Sequence, residues 1–304
     1  MAHNVLLTLR QALPGLSAAE TRVARAVIDN PALVIDLTIT KLADVCDTSP
    51  ATVARFCQRL GFSGYREFRI AVAGATSREQ AQLDRFEVVD GEINRADRAE
   101  DVVAKIAYQE VLAIEQTAKS LDLVTLDRVV EAIVASGRID IYGFGSSGLT
   151  GQDLQQKLYR IGLAATCFPD MHVALASAAL QKPGGVAIGF SHSGLTIETG
   201  NALEIARKAG ATTVGITNFP DSPLVENCDF VLTTQARENR YRSGAMSSRI
   251  AQLALVDILF VRVAQSMYDE MTESLRLTYE AVQGHRAARR AAPRKAAASN
   301  PAAS

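Results

Sequence analysis

Beyond residue 137 the chain alternates short apolar runs with helical stretches, and this alternation restricts the possible folds more than any other feature. The runs are rich in β-branched residues and poor in charge: RIDIYGF, LAATCF, VAIGFS, TTVGITN and FVLTTQ. Strands that are apolar on both faces are typical of parallel sheets covered by helices on both sides. The pattern therefore predicts an α/β domain built on a five-stranded parallel sheet.

A glycine-rich turn follows the first of these strands. Residues 143–148 read GFGSSG, the spacing of a dinucleotide-binding turn, and Asp170 follows the next strand, where an NAD site needs an acid. Ser146 and Ser147 add hydroxyls at the start of the following helix, and such donors suit a small anion or a sugar oxygen. The turn alone leaves a dinucleotide and a small polar ligand as open alternatives.

The turn after the third strand favours a phosphate. Residues 191–196 read SHSGLT, so Ser191, Ser193 and Thr196 come directly before a helix, and Gly194 permits close backbone approach. Hydroxyls, backbone N–H groups and the positive end of a helix dipole together make a phosphate site. Helix capping is the structural alternative, but a cap needs one hydroxyl and this turn has three. The turn lacks the lysine of a nucleoside triphosphate loop, so we expect a small phosphate ester.

The predicted order of the strands brings the two turns together. In the flavodoxin-like order 2-1-3-4-5, the first and third strands are neighbours at the switch point of the sheet, and ligands bind in the crevice there. A phosphate would then lie on residues 191–196, and a sugar would lie near Ser146 and Ser147.

The first 75 residues are predicted to be helical and have the proportions of a helix-turn-helix. ITKLADVC and PATVARFCQRLG flank a short turn, and the second of these segments begins with the capping pair Ser49-Pro50. Val53, Phe56 and Leu60 fall at helical spacing on one face of it. We expect that face to be buried in a small helical domain.

A neighbouring face of the same helix is a candidate DNA-contacting surface. Thr52, Arg55 and Arg59 share it, and these side chains suit base edges or phosphates. Ser49 and the free amides of the first turn suit a phosphate, and Arg66 on the next helix suits the DNA backbone. A stripe of arginines is also typical of a solvated surface, so helix spacing alone leaves DNA binding undecided.

Composition divides the chain into four segments and excludes several classes of protein. With a net charge of −1, DNA affinity must come from a local patch, and no apolar run has the length of a membrane span. Four scattered cysteines and four histidines without ligand spacing predict a reduced, cytoplasmic protein without a metal site. The predicted segments are a helix-turn-helix domain (1–76), a linker (77–98), an α/β domain (99–284, core 125–265) and a basic, disordered tail (285–304).

Two helices of the α/β domain are predicted from apolar spacing. One covers residues 99–121, and the final one runs from about Ser247 to Glu270. The residues expected inside on the first helix are Val102, Val103, Ile106, Leu112 and Ile114. We expect a homodimer or homotetramer that associates through apolar helix faces such as these.

Both halves of the chain resemble one bacterial family. LSAAETRVARAVIDNP and LADVCDTSPATVARFCQRLGFSGYREFRI resemble the head of RpiR-family transcriptional regulators, and GFGSSG with SHSGLT and GITNFPDSPLVENCDFVLTT resembles the sugar isomerase (SIS) domain. The resemblance implies a regulator that binds an operator in double-stranded DNA and responds to a phosphosugar effector. From spacing and resemblance together, the predicted ligand contacts are Gly145, Ser146, Ser147, Ser191, His192, Ser193, Thr196 and Glu238.

The resemblance also bears on catalysis. Catalytic SIS domains carry a glutamate near the start of the last helix, where this chain has Ser248 and Arg249, and Glu238 is the nearest acid. Glu238 is either a ligand contact or a surface charge. We therefore expect a sensor with no catalytic residue and no cofactor. The alternatives are an NADH-responsive regulator and a sugar-phosphate isomerase with an accessory DNA-binding head.

Overall fold

In a computed structural model, the protein is described over residues 5–86, 88, 92–238 and 245–283. The predicted basic tail, residues 285–304, lies outside these ranges. The described part consists of an N-terminal helical domain followed by an α/β domain.

The N-terminal domain is helical throughout, as predicted. Its helices are α1 (Val5–Ala12), α2 (Ala18–Asp29), α3 (Ala32–Asp36), α4 (Ile39–Val45), α5 (Pro50–Arg59) and α6 (Tyr65–Arg85). Ser17 begins α2 with a reciprocal capping box to Glu20. Ser49 caps α5 by accepting the Thr52 N–H, and Pro50 occupies the first helical position.

One apolar core holds the N-terminal domain together. Val53 and Phe56 of α5 are fully buried, as their spacing predicts, whereas Leu60 is half-buried at the edge of this core. The ring of Phe68 on α6 packs edge-on against Phe56 and Phe62, at centroid distances of 5.8 and 5.4 Å. The helix-turn-helix therefore rests on a core of its own.

The predicted linker, residues 77–98, is helical in its first part. Helix α6 continues to Arg85, and irregular backbone begins only at Phe86. This stretch lacks apolar periodicity but consists largely of strong helix formers. A side-chain bond from Gln80 to Asp84 (2.8 Å) supports it at helical spacing.

The α/β domain has the predicted sheet. Five parallel strands are ordered β2-β1-β3-β4-β5. The strands are β1 (Ile139–Gly143), β2 (Ala165–Phe168), β3 (Val186–Phe190), β4 (Thr212–Thr217) and β5 (Phe230–Thr233). Strands β1 and β3 are buried at every position and pair directly, with Ile139 opposite Val186. The carboxyl ends of β1 and β3 therefore lie side by side.

Helices cover both faces of this sheet, as a parallel sheet requires. They are α7 (Ala99–Ser120), α8 (Leu123–Val134), α9 (Ser146–Arg160), α10 (Met171–Ala179), α11 (Ile197–Lys208), α12 (Met246–Ser266) and α13 (Tyr268–Gln283). The apolar side chains of α8, α9 and α12 share one core with the strands.

The predicted inner face of α7 is wrong at two of its five positions, and Val102, Ile106 and Leu112 are partly buried. Val103 and Ile114 are 69% and 43% exposed, whereas the buried positions include Lys105, Tyr108 and Thr117. The polar members of this buried face are hydrogen-bonded: the Lys105 ammonium donates to both carboxylate oxygens of Asp97 at 3.0 Å. The most buried positions of α7 thus include polar side chains with partners, while large apolar side chains such as Val103 and Ile114 stay exposed.

The last helix expected from the sequence, from about Ser247 to Glu270, is confirmed except at its C-terminal end. Helix α12 ends at Ser266, Met267 leaves the helical region of φ and ψ, and α13 continues at an angle of 109°. This bend allows Met271 and Leu275 to pack against the sheet core. Within the described ranges, no single helix is long and apolar enough to cross a membrane, although α12 and α13 together would meet that criterion.

The four cysteines are free thiols, and three of them are buried. Burial raises the pKa of Cys57 to about 12 and that of Cys167 to about 11. Because the thiolate is the reactive form, these two side chains act as small core residues.

Candidate functional site

The glycines of the first turn allow a very close contact between β1 and α9. A Cβ on Gly143 would lie 2.8 Å from the Ser147 carbonyl oxygen, and one on Gly148 would lie 2.7 Å from the Gly143 carbonyl oxygen. Gly145 has φ +59°, a conformation that favours glycine. The G-x-G-x-x-G spacing thus brings the N-terminus of α9 against the end of β1.

Ser146 and Ser147 are the first residues of α9. The Ser146 hydroxyl is shielded from solvent and has no hydrogen-bond partner within the described part of the chain. The Ser147 hydroxyl accepts a bond from the amide nitrogen of Gln252 (3.3 Å), and Thr150 donates to the other end of that amide (3.0 Å). Ser147 is therefore held in place by α12, whereas Ser146 makes no such contact with the described residues, and its assignment as a ligand contact stays a prediction.

The second turn is shaped by Gly194 and by a bond between two of its hydroxyls. Gly194 has φ +65°, and a Cβ there would lie 1.9 Å from the Ser222 hydroxyl. Ser191 is buried and donates to the Thr196 hydroxyl at 2.9 Å. The Ser193 hydroxyl accepts the Leu195 N–H at 3.2 Å. Ser191 thus orients Thr196 at the entrance of α11.

The two turns open on one cavity of about 300 Å³. It is lined by Phe144, Ser146, Ser147, His192, Ser193, Thr196, Ala245, Ser248 and Gln252. These residues bring the N-termini of α9, α11 and α12 together around a common space. Each helix N-terminus carries roughly half a positive charge and unpaired N–H groups, so the space favours an anion.

The predicted ligand residues differ in their relation to this cavity. Ser146, Ser147, His192, Ser193 and Thr196 line it, and His192 is its titratable lining residue. Gly145 shapes the first turn, and Ser191 lies behind Thr196, so neither lines the cavity. The assignment of all these residues as ligand contacts stays a prediction.

Glu238 does not line the cavity but contacts Ser248, which does, and its role as a ligand contact stays a prediction. Its carboxylate accepts the Ser248 N–H at 2.6 Å, close to the start of α12. A carboxylate there offsets the positive end of α12, so the attraction for an anion comes mainly from α9 and α11. Asp170 is similarly occupied, because its carboxylate caps α10 by accepting the Val173 N–H (3.0 Å). The acid proposed for an NAD ribose is therefore already a helix cap.

Two residues that line the cavity, Ser248 and Gln252, are not among the predicted ligand contacts. Both are buried on α12 and are four residues apart, so they share a helix face. The signal in the sequence is a pair of polar side chains four residues apart, among the apolar positions of one helix face. It becomes interpretable only when α12 is known to pack beside the two turns.

A polar stripe runs along the exposed side of α5. The Ser49 and Thr52 hydroxyls are 2.9 Å apart, and the Arg55 guanidinium reaches Thr52 at 3.4 Å. Arg55 and Arg66 are exposed. The predicted DNA-contacting residues Ser49, Thr52 and Arg55 therefore form a continuous surface at the N-terminal part of α5.

Arg59 is partly committed to contacts within the helical domain. Its guanidinium bonds the Glu20 carboxylate (3.1 Å) and the Gly15 carbonyl (2.6 Å), and it remains half exposed. Hydrogen bonds from Ser17 lower the pKa of Glu20, and Arg59 adds to this effect. Arg59 thus ties the end of α5 to the start of α2, and its contact with DNA stays a prediction.

Arg22 of α2 holds the other end of α5. Its guanidinium donates to the carbonyls of Cys46 (3.0 Å) and Asp47 (2.6 Å), in the turn between α4 and α5. Asp47 has φ +48°, a left-handed conformation that is costly for a residue with a side chain. Arg22 therefore stabilises the strained turn that orients α5.

We expect Arg22→Ala to lower the free energy of unfolding of the full chain by about 1–3 kcal/mol, because two hydrogen bonds from a charged group are lost. Urea unfolding followed by circular dichroism measures the change. Arg22→Lys keeps the positive charge but lacks the planar guanidinium with its several N–H donors. It should therefore recover only part of the lost free energy of unfolding. Full stability of Arg22→Ala would show that the turn holds without this contact.

Comparisons with known proteins cover almost the whole chain. The family described as "Helix-turn-helix domain, rpiR family" matches residues 3–79, and the SIS domain family matches residues 132–262. An uncharacterised HTH-type transcriptional regulator of Caldanaerobacter subterraneus is 36% identical over 277 residues, 91% of this chain and 96% of that protein. A second, from Haemophilus influenzae, is 30% identical over 92% of this chain and 96% of its own length.

Solved structures agree with these matches. The Vibrio vulnificus NanR protein complexed with ManNAc-6P is 31% identical, and the match covers 93% of this chain and 100% of that one with a TM-score of 0.60. The sugar isomerase domain of an RpiR transcription factor from Sphaerobacter thermophilus is 21% identical, with 59% and 98% coverage and a TM-score of 0.53. The second likeness supports the fold alone.

Proposed function

Because the chain belongs to the rpiR family of helix-turn-helix transcriptional regulators, we propose that a phosphorylated sugar binds in the cavity of its SIS domain and changes its affinity for an operator. The cavity carries this proposal. It combines two helix N-termini, the shielded Ser146 hydroxyl and the hydroxyls of Ser193 and Thr196 in one small space. Its volume is at the lower end of the range for ligand pockets, which suits a sugar phosphate better than a dinucleotide.

The proposed orientation of the ligand follows from the charges around the cavity. The phosphate lies on the second turn, where the free amides of α11 and the Ser193 and Thr196 hydroxyls serve as donors. The neutral end lies towards Ser146 and Ser248, whose hydroxyls suit sugar oxygens. Since NanR, at 31% identity, is complexed with ManNAc-6P, an N-acetylated amino-sugar phosphate is the first effector to test.

We propose binding without turnover. Isomerisation between a ketose and an aldose needs a base beside the carbonyl. The described lining of the cavity has no carboxylate. Ser248 occupies the position at which similar, catalytic SIS domains carry a glutamate. The nearby Glu238 accepts the Ser248 N–H and thus caps α12. The relatives compared above are named as transcriptional regulators, in agreement with a sensor.

Operator binding is proposed for the stripe of Ser49, Thr52 and Arg55, with Arg66 on the DNA backbone. A homodimer would present two copies of α5 about one helical turn of DNA apart, roughly 34 Å. Exposed apolar side chains on α7 and α8, such as Val103 and Leu123, are the surface proposed for this association. Dimer and tetramer both stay predictions.

Thermal-shift titration of the full chain with a panel of ligands tests the effector assignment. The panel contains ManNAc-6P, N-acetylglucosamine 6-phosphate, glucose 6-phosphate, 6-phosphogluconate and NADH. We expect stabilisation by at least one sugar phosphate, none by NADH, and no new sugar signals in the NMR spectrum of the incubated mixture. Protection by NADH alone, or turnover of a protecting sugar phosphate, would contradict this function.

Ser193→Ala is expected to weaken binding of the best panel ligand about 10- to 100-fold, because a hydroxyl donor to a charged phosphate is worth about 1.5–3 kcal/mol. Isothermal titration calorimetry measures this change, and DNA binding without ligand should stay within about twofold of wild type. The matched control is Ser266→Ala, which removes an exposed hydroxyl bonded to the Arg262 carbonyl. Equal ligand affinity in both variants would remove Ser193 from the proposed site.

A further inference from the structure

We propose that the ion pair between Arg237 and Glu92 is the contact through which effector binding in the cavity acts on the segment joining the SIS domain to the DNA-binding head. Arg237 is thus a positioning residue for regulation, not a ligand contact. The inference rests on the proposed function and adds the route of the response. It follows from the contacts of residues 234–238, the stretch after β5.

Residues 234–238 are attached to the second turn on one side. The Thr234 N–H donates to the Thr217 carbonyl (2.9 Å), and the Ala236 N–H donates to the side-chain oxygen of Asn218 (2.6 Å). The Asn218 N–H in turn donates to the carbonyl of His192 (3.0 Å), which lines the cavity. A shift of the second turn on ligand binding is therefore passed directly to this stretch.

The same stretch is attached to the other wall of the cavity. Glu238 accepts the N–H of Ser248, a lining residue on α12. The Gln235 N–H donates to the buried Thr117 hydroxyl of α7 at 2.9 Å. Residues 234–238 thus contact elements on both sides of the cavity without lining it, so their position depends on the spacing between those elements.

Arg237 links this stretch to the segment that joins the domains. Its guanidinium lies 3.3 Å from the Glu92 carboxylate. The Glu92 carbonyl accepts a bond from the buried Lys105 ammonium at 2.6 Å, and that ammonium also pairs with Asp97. Residues 92–97 are therefore held against α7 by Lys105, and Arg237 contacts Glu92 from the stretch beside the cavity.

The charge of Arg237 also acts on the DNA-binding head. Burial lowers the pKa of Arg10 on α1, and the positive charge of Arg237 lowers it further, whereas Glu79, Asp29 and Glu92 raise it. Arg237 therefore attracts Glu92 and repels Arg10. A displacement of Arg237 changes an attraction to the joining segment and a repulsion from the head at the same time.

The strength of the ion pair suits a contact that is remade during regulation. Both side chains are about half exposed, so the pair is screened by solvent and contributes little to stability. Lys105 and Asp97, by contrast, are almost fully buried and should stay paired in both states. The change between states is therefore expected at Arg237, with residues 92–97 as its anchored partner.

Arg237→Gln and Glu92→Gln in the full chain test the inference. The probes are a DNA duplex enriched by the wild-type protein from a random library and the panel ligand that protects the wild type most. We expect wild-type duplex affinity to change about 5- to 150-fold with saturating ligand. In each variant the fold-change in duplex affinity caused by the ligand should be about one third of the wild-type fold-change or less. Ligand affinity and duplex affinity without ligand should stay within about twofold of wild type.

Two further variants make the result specific. The double variant should respond as weakly as either single variant, because both remove the same pair. Arg262→Gln is the matched control, since it breaks an equally exposed pair with Asp127 that lies within the SIS domain. It should keep the full response.

The outcomes separate this inference from the proposed function. No ligand response in the wild-type protein would overturn both. A responding wild type with full response in Arg237→Gln and Glu92→Gln, or with an equal loss in Arg262→Gln, would overturn the inference alone. Loss of ligand affinity in Arg237→Gln would also overturn it, because Arg237 would then act on the cavity itself.

Discussion

Replacing Gly194 with alanine is expected to weaken binding of the protecting sugar phosphate by about 100-fold or more. The backbone there is left-handed, with φ +65°, and a Cβ would lie 1.9 Å from the hydroxyl oxygen and 2.3 Å from the Cβ of Ser222. A left-handed residue with a side chain costs about 1–3 kcal/mol of folding free energy. In addition, the Cβ and the Ser222 side chain cannot both keep their positions. The turn must therefore move, and the amides and hydroxyls that meet the phosphate move with it.

Gly200→Ala is the matched control, because it places the same methyl group a short distance along the same chain segment. Gly200 lies inside α11, and a Cβ there meets nothing within 4 Å. The variant should bind ligand normally and gain about 0.5–1 kcal/mol of stability. Calorimetric titration with the sugar phosphate and urea unfolding distinguish the two variants. Wild-type ligand affinity in a folded Gly194→Ala protein would place the phosphate elsewhere.

The second large effect is expected from Arg55→Ala, which should weaken operator binding by about 10- to 100-fold. Arg55 is exposed, and its guanidinium reaches only Thr52, at 3.4 Å, among the hydrogen bonds described for it. Its removal should therefore leave the fold and ligand binding unchanged. Fluorescence anisotropy with the enriched duplex at several salt concentrations measures the loss. A uniform loss with a salt slope reduced by about one indicates a phosphate contact, and relaxed sequence preference indicates a base contact.

Arg25→Ala is the control for loss of positive charge. Arg25 is exposed on α2 and lies outside the stripe on α5, so its removal changes the net charge of the head equally. It should weaken binding much less than Arg55→Ala. Equal losses in the two variants, or an unchanged affinity of Arg55→Ala, would reject α5 as the recognition helix.

Arg59 illustrates how tertiary contacts change an expectation from helix spacing. Spacing alone groups it with Thr52 and Arg55 on one face, and all three suit DNA. In the folded domain the Arg59 guanidinium reaches Glu20 and Gly15, which are far away along the chain. The same helix position therefore supplies a contact that fixes α5 against α2.

The residues around the cavity also divide into those that the local sequence predicts and those that depend on tertiary contacts. The turns at 143–148 and 191–196 were predicted from glycines and hydroxyls within six residues, since backbone conformation and helix capping depend on near neighbours. Gln252 was not, because its contact with Ser147 joins residues 105 positions apart. The contact of Glu238 with the Ser248 N–H likewise depends on the packing of α12, and a contact of Glu238 with the ligand stays a prediction.

The strand order was assumed from flavodoxin-like folds and then found in the structure, whereas the sequence by itself determined the parallel strands, the core face of α5 and the two polar turns. These features follow from apolar period, turn residues and caps, which act over a few residues. The tertiary structure alone decided which face of α7 is buried, where the last helix bends and which α12 side chains complete the cavity. Those outcomes depend on buried polar partners and on packing between distant segments, and no local pattern contains that information.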